Sequence, residues 1–282
     1  MRVLRTSAVR VLGERDRESV YALLDADPVG NVFVSSRLRA SGLHSSRLGA
    51  ELWGYVERGA LTALCYSGAN LVPVNAGPVA IRHFSEQARG QGRRCSSIVG
   101  PVEAVSDLWA RLAPSWGPAR AIRERQPVLE ISEPPHVEPD PLVRRTRMSE
   151  FGLVLPACVA MFTEEVGVPP DSGDGGSMYR ARVEELVRTG RSFARIEDGR
   201  VVFKAEIGAV TPHACQIQGV WVHPELRGRG YSVSGMAAVV RYALTEIAPR
   251  VTLYVNDFNA PARAAYGSVG FHEVGAVRSV LF

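Results

Sequence analysis

The chain has 282 residues, 46% hydrophobic and 22% charged, which allows two domains of ordinary size and excludes a disordered chain. Its net charge of +4 would help an anionic ligand approach, yet by itself it does not indicate nucleic acid. Arg2, Arg5 and Arg10 interrupt any apolar run suited to a signal peptide, and no window reaches the length of a membrane span, so a cytoplasmic protein without membrane contact is expected. Cys65, Cys95, Cys158 and Cys215 lie scattered in apolar stretches without metal-ligand spacing. They read as buried free thiols in a reducing compartment, and no metal is implied. Lys204 is the only lysine among 33 basic residues; the plain explanation is a genome that favours arginine codons.

In chain order, residues 14–25 and about 29–39 read as helices. Strand-like runs follow at 51–57 and 60–66, joined by a hairpin turn at Arg58-Gly59, and a third lies at 70–74. Helical stretches near 79–88 and 102–112 flank a strand at 95–99, and 128–131 is a further strand. Ser132 to Pro141 holds four prolines in ten residues, a density that favours an extended, semi-rigid connector. We therefore place an N-terminal domain over 1–133, a proline-rich linker over 134–141 and a second domain over 142–282. The second domain opens with a strand near 142–147 and a helix capped by Ser149. A glycine-rich loop, Asp171 to Gly176, is expected to be mobile, and a helix follows over 178–188. Strands at 192–196 and 201–207 are joined by Asp198-Gly199, a strong hairpin signal. The run 215–222 is the next strand, 251–255 another, 261–268 a short helix, and 272–282 the closing strand.

The informative stretch is Gln218 to Ser232. Its strand ends at Pro224, which lacks an amide; a loop with Arg227, Gly228, Arg229 and Gly230 follows. Then Val233, Met236, Ala237, Val240, Leu244 and Ile247 mark one buried helical face. Strand, glycine loop and helix N-terminus together aim free amides at an anion, and two arginines add charge. A diphosphate fits such a place. By contrast, Val74 to Pro78 has one glycine, no arginine and a proline that deletes an amide. Arg89 to Arg94 has a tempting glycine pattern, but it follows a helix and precedes a strand, so it reads as a solvated turn.

Two blocks carry a family resemblance. Arg227-x-x-Gly230-x-Ser232 resembles the acyl-CoA diphosphate loop of the GCN5-related N-acetyltransferases, with serine in place of the usual small last residue. Asn259-x-x-Ala262-x-x-x-Tyr266-x-x-x-Gly270-Phe271 is similar to that family's later motif at every named position. The resemblance covers about the last half of the chain. It implies an α/β fold with a mixed, mostly antiparallel sheet flanked by helices. The order of elements in the first half is similar too, so that half reads as a degenerate copy without the chemistry.

Carried over residue by residue, the resemblance implies that acetyl-CoA is held by the backbone of Val220, Trp221 and Val222. Arg227, Gly228, Arg229, Gly230, Tyr231 and Ser232 would cradle its diphosphate, and Asn259 would add a contact. It also implies that Tyr266 protonates the leaving thiolate. On the plain reading, Val220 and Trp221 are core, Asn259 is a helix cap and Tyr266 is an amphipathic packing residue. For the base that takes the proton of the acceptor amine, Glu206 ranks first. It lies one pleat from Lys204, and such a pair is often only a solvated ion pair. Glu164 or Glu165 rank next, His223 is a further candidate, and a water chain is an alternative.

The expected function is acetyl-CoA-dependent N-acetyl transfer to a primary amine of a small molecule or peptide, by a monomer or homodimer that does not bind nucleic acid. A non-catalytic acyl-CoA-binding regulator and a larger aminoacyl or acyl transferase of the tandem type are the alternatives. The identity of the acceptor is not legible.

Overall fold

The computed structural model describes residues 8–170 and 175–282. Arg2, Arg5 and the part of the glycine-rich loop over 171–174 lie outside the described residues. Two compact units are present. Of the described residues, one comprises those up to Val128 with Tyr254–Phe258 and Glu273–Phe282, the other those from Leu129 to Leu253 with Asn259–His272.

The first unit begins with β1 (Ala8–Val11), α1 (Arg17–Asp25), α2 (Val32–Ser41) and the short α3 (Ser45–Leu48). It continues through β2 (Glu51–Glu57), β3 (Ala60–Ser67), β4 (Asn70–Val74), α4 (Pro78–Gln91), β5 (Ser97–Pro101), α5 (Val102–Trp116) and the start of β6 (Ala121–Ile131). Both faces of its sheet are covered, which is why β2 and β3 read as nearly unbroken apolar runs. Trp53, Tyr55, Ala63 and Cys65 pack with Phe84, Val105, Leu108 and Leu112 on one side. The alternate residues Leu52, Leu64 and Tyr66 pack with Val20, Leu24 and Leu38 on the other. Arg58 and Gly59 take φ of 53° and 84°, the left-handed pair that a two-residue hairpin turn needs.

The second unit contains β7 (Arg144–Arg145), α6 (Phe151–Val166), α7 (Gly175–Arg188), β8 (Ser192–Glu197), β9 (Arg200–Val210) and β10 (Cys215–Val222). After these come α8 (Tyr231–Glu246), β11 (Val251–Tyr254) and α9 (Ala260–Val269). Its strands run in the order β11-β10-β9-β8-β7, antiparallel except that β10 and β11 are parallel. The sheet is thus mixed and mostly antiparallel, flanked by helices, as expected. On one face Phe151, Val154, Cys158, Val183 and Val187 pack against Ala194 and Trp221. On the other, α8 approaches β9 so closely that a Cβ at Gly235 would lie 2.8 Å from the Phe203 ring.

Two sequence expectations are corrected, the cap of α6 and the place of the last strand. Ser149 does not cap α6; the Glu150 carboxylate accepts the Arg147 amide at 2.8 Å, because a short 3-10 turn over Met148–Glu150 precedes the helix. The proline-rich connector runs along the second unit. The His136 amide donates to Val269 O at 2.9 Å, and buried Asp140 accepts from Arg195 at 2.7 Å, so it is fastened to the second unit. The last strand, β12 (His272–Leu281), pairs antiparallel with β5 from Val277↔Pro101 to Leu281↔Ser97, so most of it belongs to the first unit. Proximity along the chain suggested otherwise; an open strand edge beside β5 decides it.

No helix among the described residues is long and apolar enough to cross a membrane.

Candidate active site

β10 and β11 pair only at Cys215↔Val251 and Gln216↔Thr252. Between β10 and β9 the register passes from Gln218↔Glu206 to Trp221↔Lys204, three steps on one strand against two on the other. One extra residue is therefore bulged out of β10. Gly219 sits in this bulge with φ of 61°, a value glycine adopts without strain. Neither Gly219 nor Val220 has a register partner in β9.

Pro224 ends β10, and the loop reaches α8 through Gly228 and Gly230, with φ of 75° and 85°. Among the described residues nothing lies within 4 Å of where a Cβ would be built on either glycine. Gly230 is the N-cap of the sixteen-residue α8, and no side chain caps it. The first turn of a helix leaves amides without intrahelical partners, and here they sit behind an open glycine loop. Arg227 and Arg229 are exposed, while Tyr231 and Ser232 are half-buried, with Tyr231 under the Arg195 guanidinium. The loop residues thus fit a diphosphate.

Arg227 is already engaged. It donates to Glu164 at 2.6 Å and to Val222 O at 3.1 Å. The other Glu164 oxygen accepts from the indole of Trp221 at 3.2 Å. Glu164 therefore ties α6 to the end of β10. His223 packs edge-on against Trp221, and its buried Nδ1 has no hydrogen-bond partner among the described residues.

Beneath the bulge lies a buried polar cluster. Lys204 is 0% exposed, and its ammonium is 2.8 Å from Glu206 Oε1 and 2.8 Å from Gly219 O. The Cys158 thiol donates to Glu206 Oε1 at 3.2 Å. A Cβ on Gly219 would lie 3.0 Å from Glu206 Oε2, so that oxygen faces the bulge. Burial opposes the charge on Lys204, but Glu206 and Cys158 outweigh it and the net pKa shift is upward. Burial, with Glu206 nearby, pushes the Cys158 thiol up to about 12, which leaves it protonated and not a nucleophile. Tyr179 donates to Cys158 O at 2.8 Å. The Lys204–Glu206 pair is thus not the solvated surface pair that an exposed strand would carry.

Asn259 Oδ1 accepts the Ala262 amide at 3.2 Å and caps α9. Tyr266, one face along that helix, is buried with its ring edge-on to Phe271. Burial, and secondarily Glu165, push its pKa up, so the hydroxyl stays protonated across the neutral range. From the sequence Cys158 reads only as a buried free thiol, and neither Tyr179 nor Gly219 is singled out. An isolated glycine inside an apolar strand run was the available signal for the last.

Residues 161–271 match the model of the Acetyltransferase (GNAT) family, and residues 50–154 match a domain of unknown function (DUF4081). No curated protein sequence matches the chain. Among solved structures, a GNAT-family acetyltransferase from Colwellia psychrerythraea is similar at 11% identity and a TM-score of 0.58, covering 98% of this chain and 99% of that one. A GCN5-related N-acetyltransferase from Sphaerobacter thermophilus gives 17% and 0.56, covering 98% and 95%. A tandem GNAT protein from the clavulanic acid biosynthesis pathway gives 13% and 0.52, covering 98% of both chains. At these identities the likeness is one of fold: two GNAT-like domains in tandem. The family match supports acyl transfer as the chemistry of the second half.

Proposed function

We propose that the domain matching the GNAT acetyltransferases transfers an acetyl group from acetyl-CoA to a primary amine. The loop Arg227 to Ser232 would hold the diphosphate, and Val220, Trp221 and Val222 would hold the pantetheine and acyl end through their backbone. Asn259 fixes the start of the helix that carries Tyr266. Acetyl-CoA supplies the acyl thioester. The Val220 amide polarises its carbonyl, which lowers the cost of the negative charge that develops on oxygen. As the amine nitrogen bonds to the carbonyl carbon and the carbon–sulfur bond breaks, Glu206 takes the amine proton through Oε2. Tyr266 gives its proton to the departing sulfur. What supports this reading most is the occurrence, in one unit, of an open glycine loop at a helix N-terminus and a carboxylate oxygen facing a bulged strand.

The test is direct. The whole chain, incubated with acetyl-CoA and a panel of primary amines, should release free coenzyme A thiol and give acceptors heavier by one acetyl group in mass spectrometry. Calorimetry should find one acetyl-CoA site per chain, because Val74 to Pro78 offers no equivalent loop. Two equivalent sites would contradict the reading of the first half as degenerate.

A second reading, acyl-CoA binding without turnover, draws on one observation: Glu206 Oε1 is already engaged by Lys204 and Cys158. Tight binding with no acetylated product from any amine would favour it.

A further inference from the structure

We propose that Lys204 is a positioning residue that sets the acyl-polarising amide of Val220 by holding the carbonyl of Gly219. The inference rests on the acetyl-CoA reading of the site and adds a role for a side chain that makes no contact with the reacting atoms.

Gly219 O and the Val220 N–H belong to one peptide unit. That unit is planar and trans, so its carbonyl and its N–H point in opposite directions and turn as one body. In an ordinary strand, pairing to a neighbour fixes each such plane. Here the bulge removes the partner: the register with β9 skips Gly219 and Val220, and the pairing with β11 has ended at Gln216. Glycine at φ of 61° leaves the plane free to rotate unless something holds it. The Lys204 ammonium does so at 2.8 Å from Gly219 O.

Lys204 is itself held. It is fully buried, Glu206 Oε1 lies 2.8 Å away, and Cys158 and Glu206 are bonded to each other. A compact ammonium with three donors suits acceptors converging from different directions, whereas the flat, wider fork of a guanidinium suits a single planar partner. This gives a physical reason for a lysine at one position in a chain whose other basic residues are arginines. A bare structural ion pair would need no third partner on the bulge, and a buried pair is weak evidence of stability in any case.

The chain's single lysine makes the test specific. In protein labelled with ¹⁵N at lysine Nζ, that ammonium gives one side-chain resonance. A thioester carbonyl accepting from the Val220 amide polarises the same peptide and strengthens the bond from Lys204 to Gly219 O. Acetyl-CoA at saturation should therefore shift the Nζ signal away from its position with coenzyme A, which carries the diphosphate but no thioester. If coenzyme A and acetyl-CoA move it alike, the inference is overturned while the binding reading stands. If calorimetry finds no acetyl-CoA binding, both fail together.

The double variant Lys204→Met with Glu206→Gln removes the ammonium without stranding a buried charge. It should keep its coenzyme A affinity. Bound acetyl-CoA labelled with ¹³C at the carbonyl should show an infrared band back near the position of the free thioester. A carbonyl band unchanged from wild type in that folded variant would overturn the inference. Should the variant not fold, the Nζ measurement on the native chain decides alone.

Discussion

Tyr266 is where the proposed chemistry is most exposed to test. Its ring is packed against Phe271 and buried, and its hydroxyl is held protonated by that burial. Tyr266→Phe keeps the packing and removes only the proton donor. Turnover should fall by about a hundredfold or more, the usual loss for one general acid, which is about 2.7 kcal/mol of transition-state stabilisation. Acetyl-CoA affinity should not change; an equal fall in affinity, measured by calorimetry, would assign the hydroxyl to binding instead. Gly230→Asp makes the complementary test. It places a side chain at φ of 85° and a carboxylate at the N-terminus of α8, where the diphosphate would lie. Acetyl-CoA binding should be lost while the circular dichroism spectrum persists. At Gly219, a methyl group would meet Glu206 Oε2 at 3.0 Å in a left-handed conformation. Gly219→Ala should therefore cost about 1–3 kcal/mol in urea unfolding.

At the scale of elements, acid sensitivity is built into the start of α6. Glu150 accepts from the Arg144 guanidinium at 2.6 Å and from the Arg147 amide at 2.8 Å. The Arg144 bond is the larger cause that holds its carboxyl at about 2, below the ordinary 4.5. A carboxyl whose pKa is lowered on folding stabilises the folded state above the unfolded pKa. That contribution fades as pH falls from about 4.5 to about 2. Glu150→Gln should accordingly be less stable than wild type at pH 7, and the gap should close over that window in pH-dependent thermal melts. A gap that stays constant with pH would show that shape, not charge, is what Glu150 contributes. The hairpin turns at Arg58-Gly59 and Asp198-Gly199 were legible because both positions require left-handed backbone. The bulge in β10 was not, since its register depends on which residues of β9 lie opposite.

For the whole molecule, the division into units follows strand pairing and not sequence order. Glu273–Phe282 lies at the far end of the chain, yet Val277 to Leu281 pair with Ser97 to Pro101, and Val280 is in the same apolar cluster as Ile98. Deleting 273–282 should therefore destabilise the first unit. Hydrogen exchange should quicken in β5 and in its neighbour β4, although both lie more than a hundred and fifty residues away in sequence. Unchanged protection in β5 would show that the last strand is dispensable there.

The sequence alone determined the glycine loop before α8, the helix carrying Tyr266 and the order of elements in the second half. Each is local: a proline that ends a strand, glycines that open a backbone, a periodic apolar face and an asparagine cap act within a few residues. Only the tertiary structure decided what Lys204 and Glu206 do. Two charged residues one pleat apart read the same whether they face water or a core. Their burial is set by α6 and α7, which bring Cys158 and Tyr179 over that face of β9. The same holds for β12, whose partner is chosen by an open sheet edge, and for Gly219, whose bulge exists only because β9 fixes the register on either side of it.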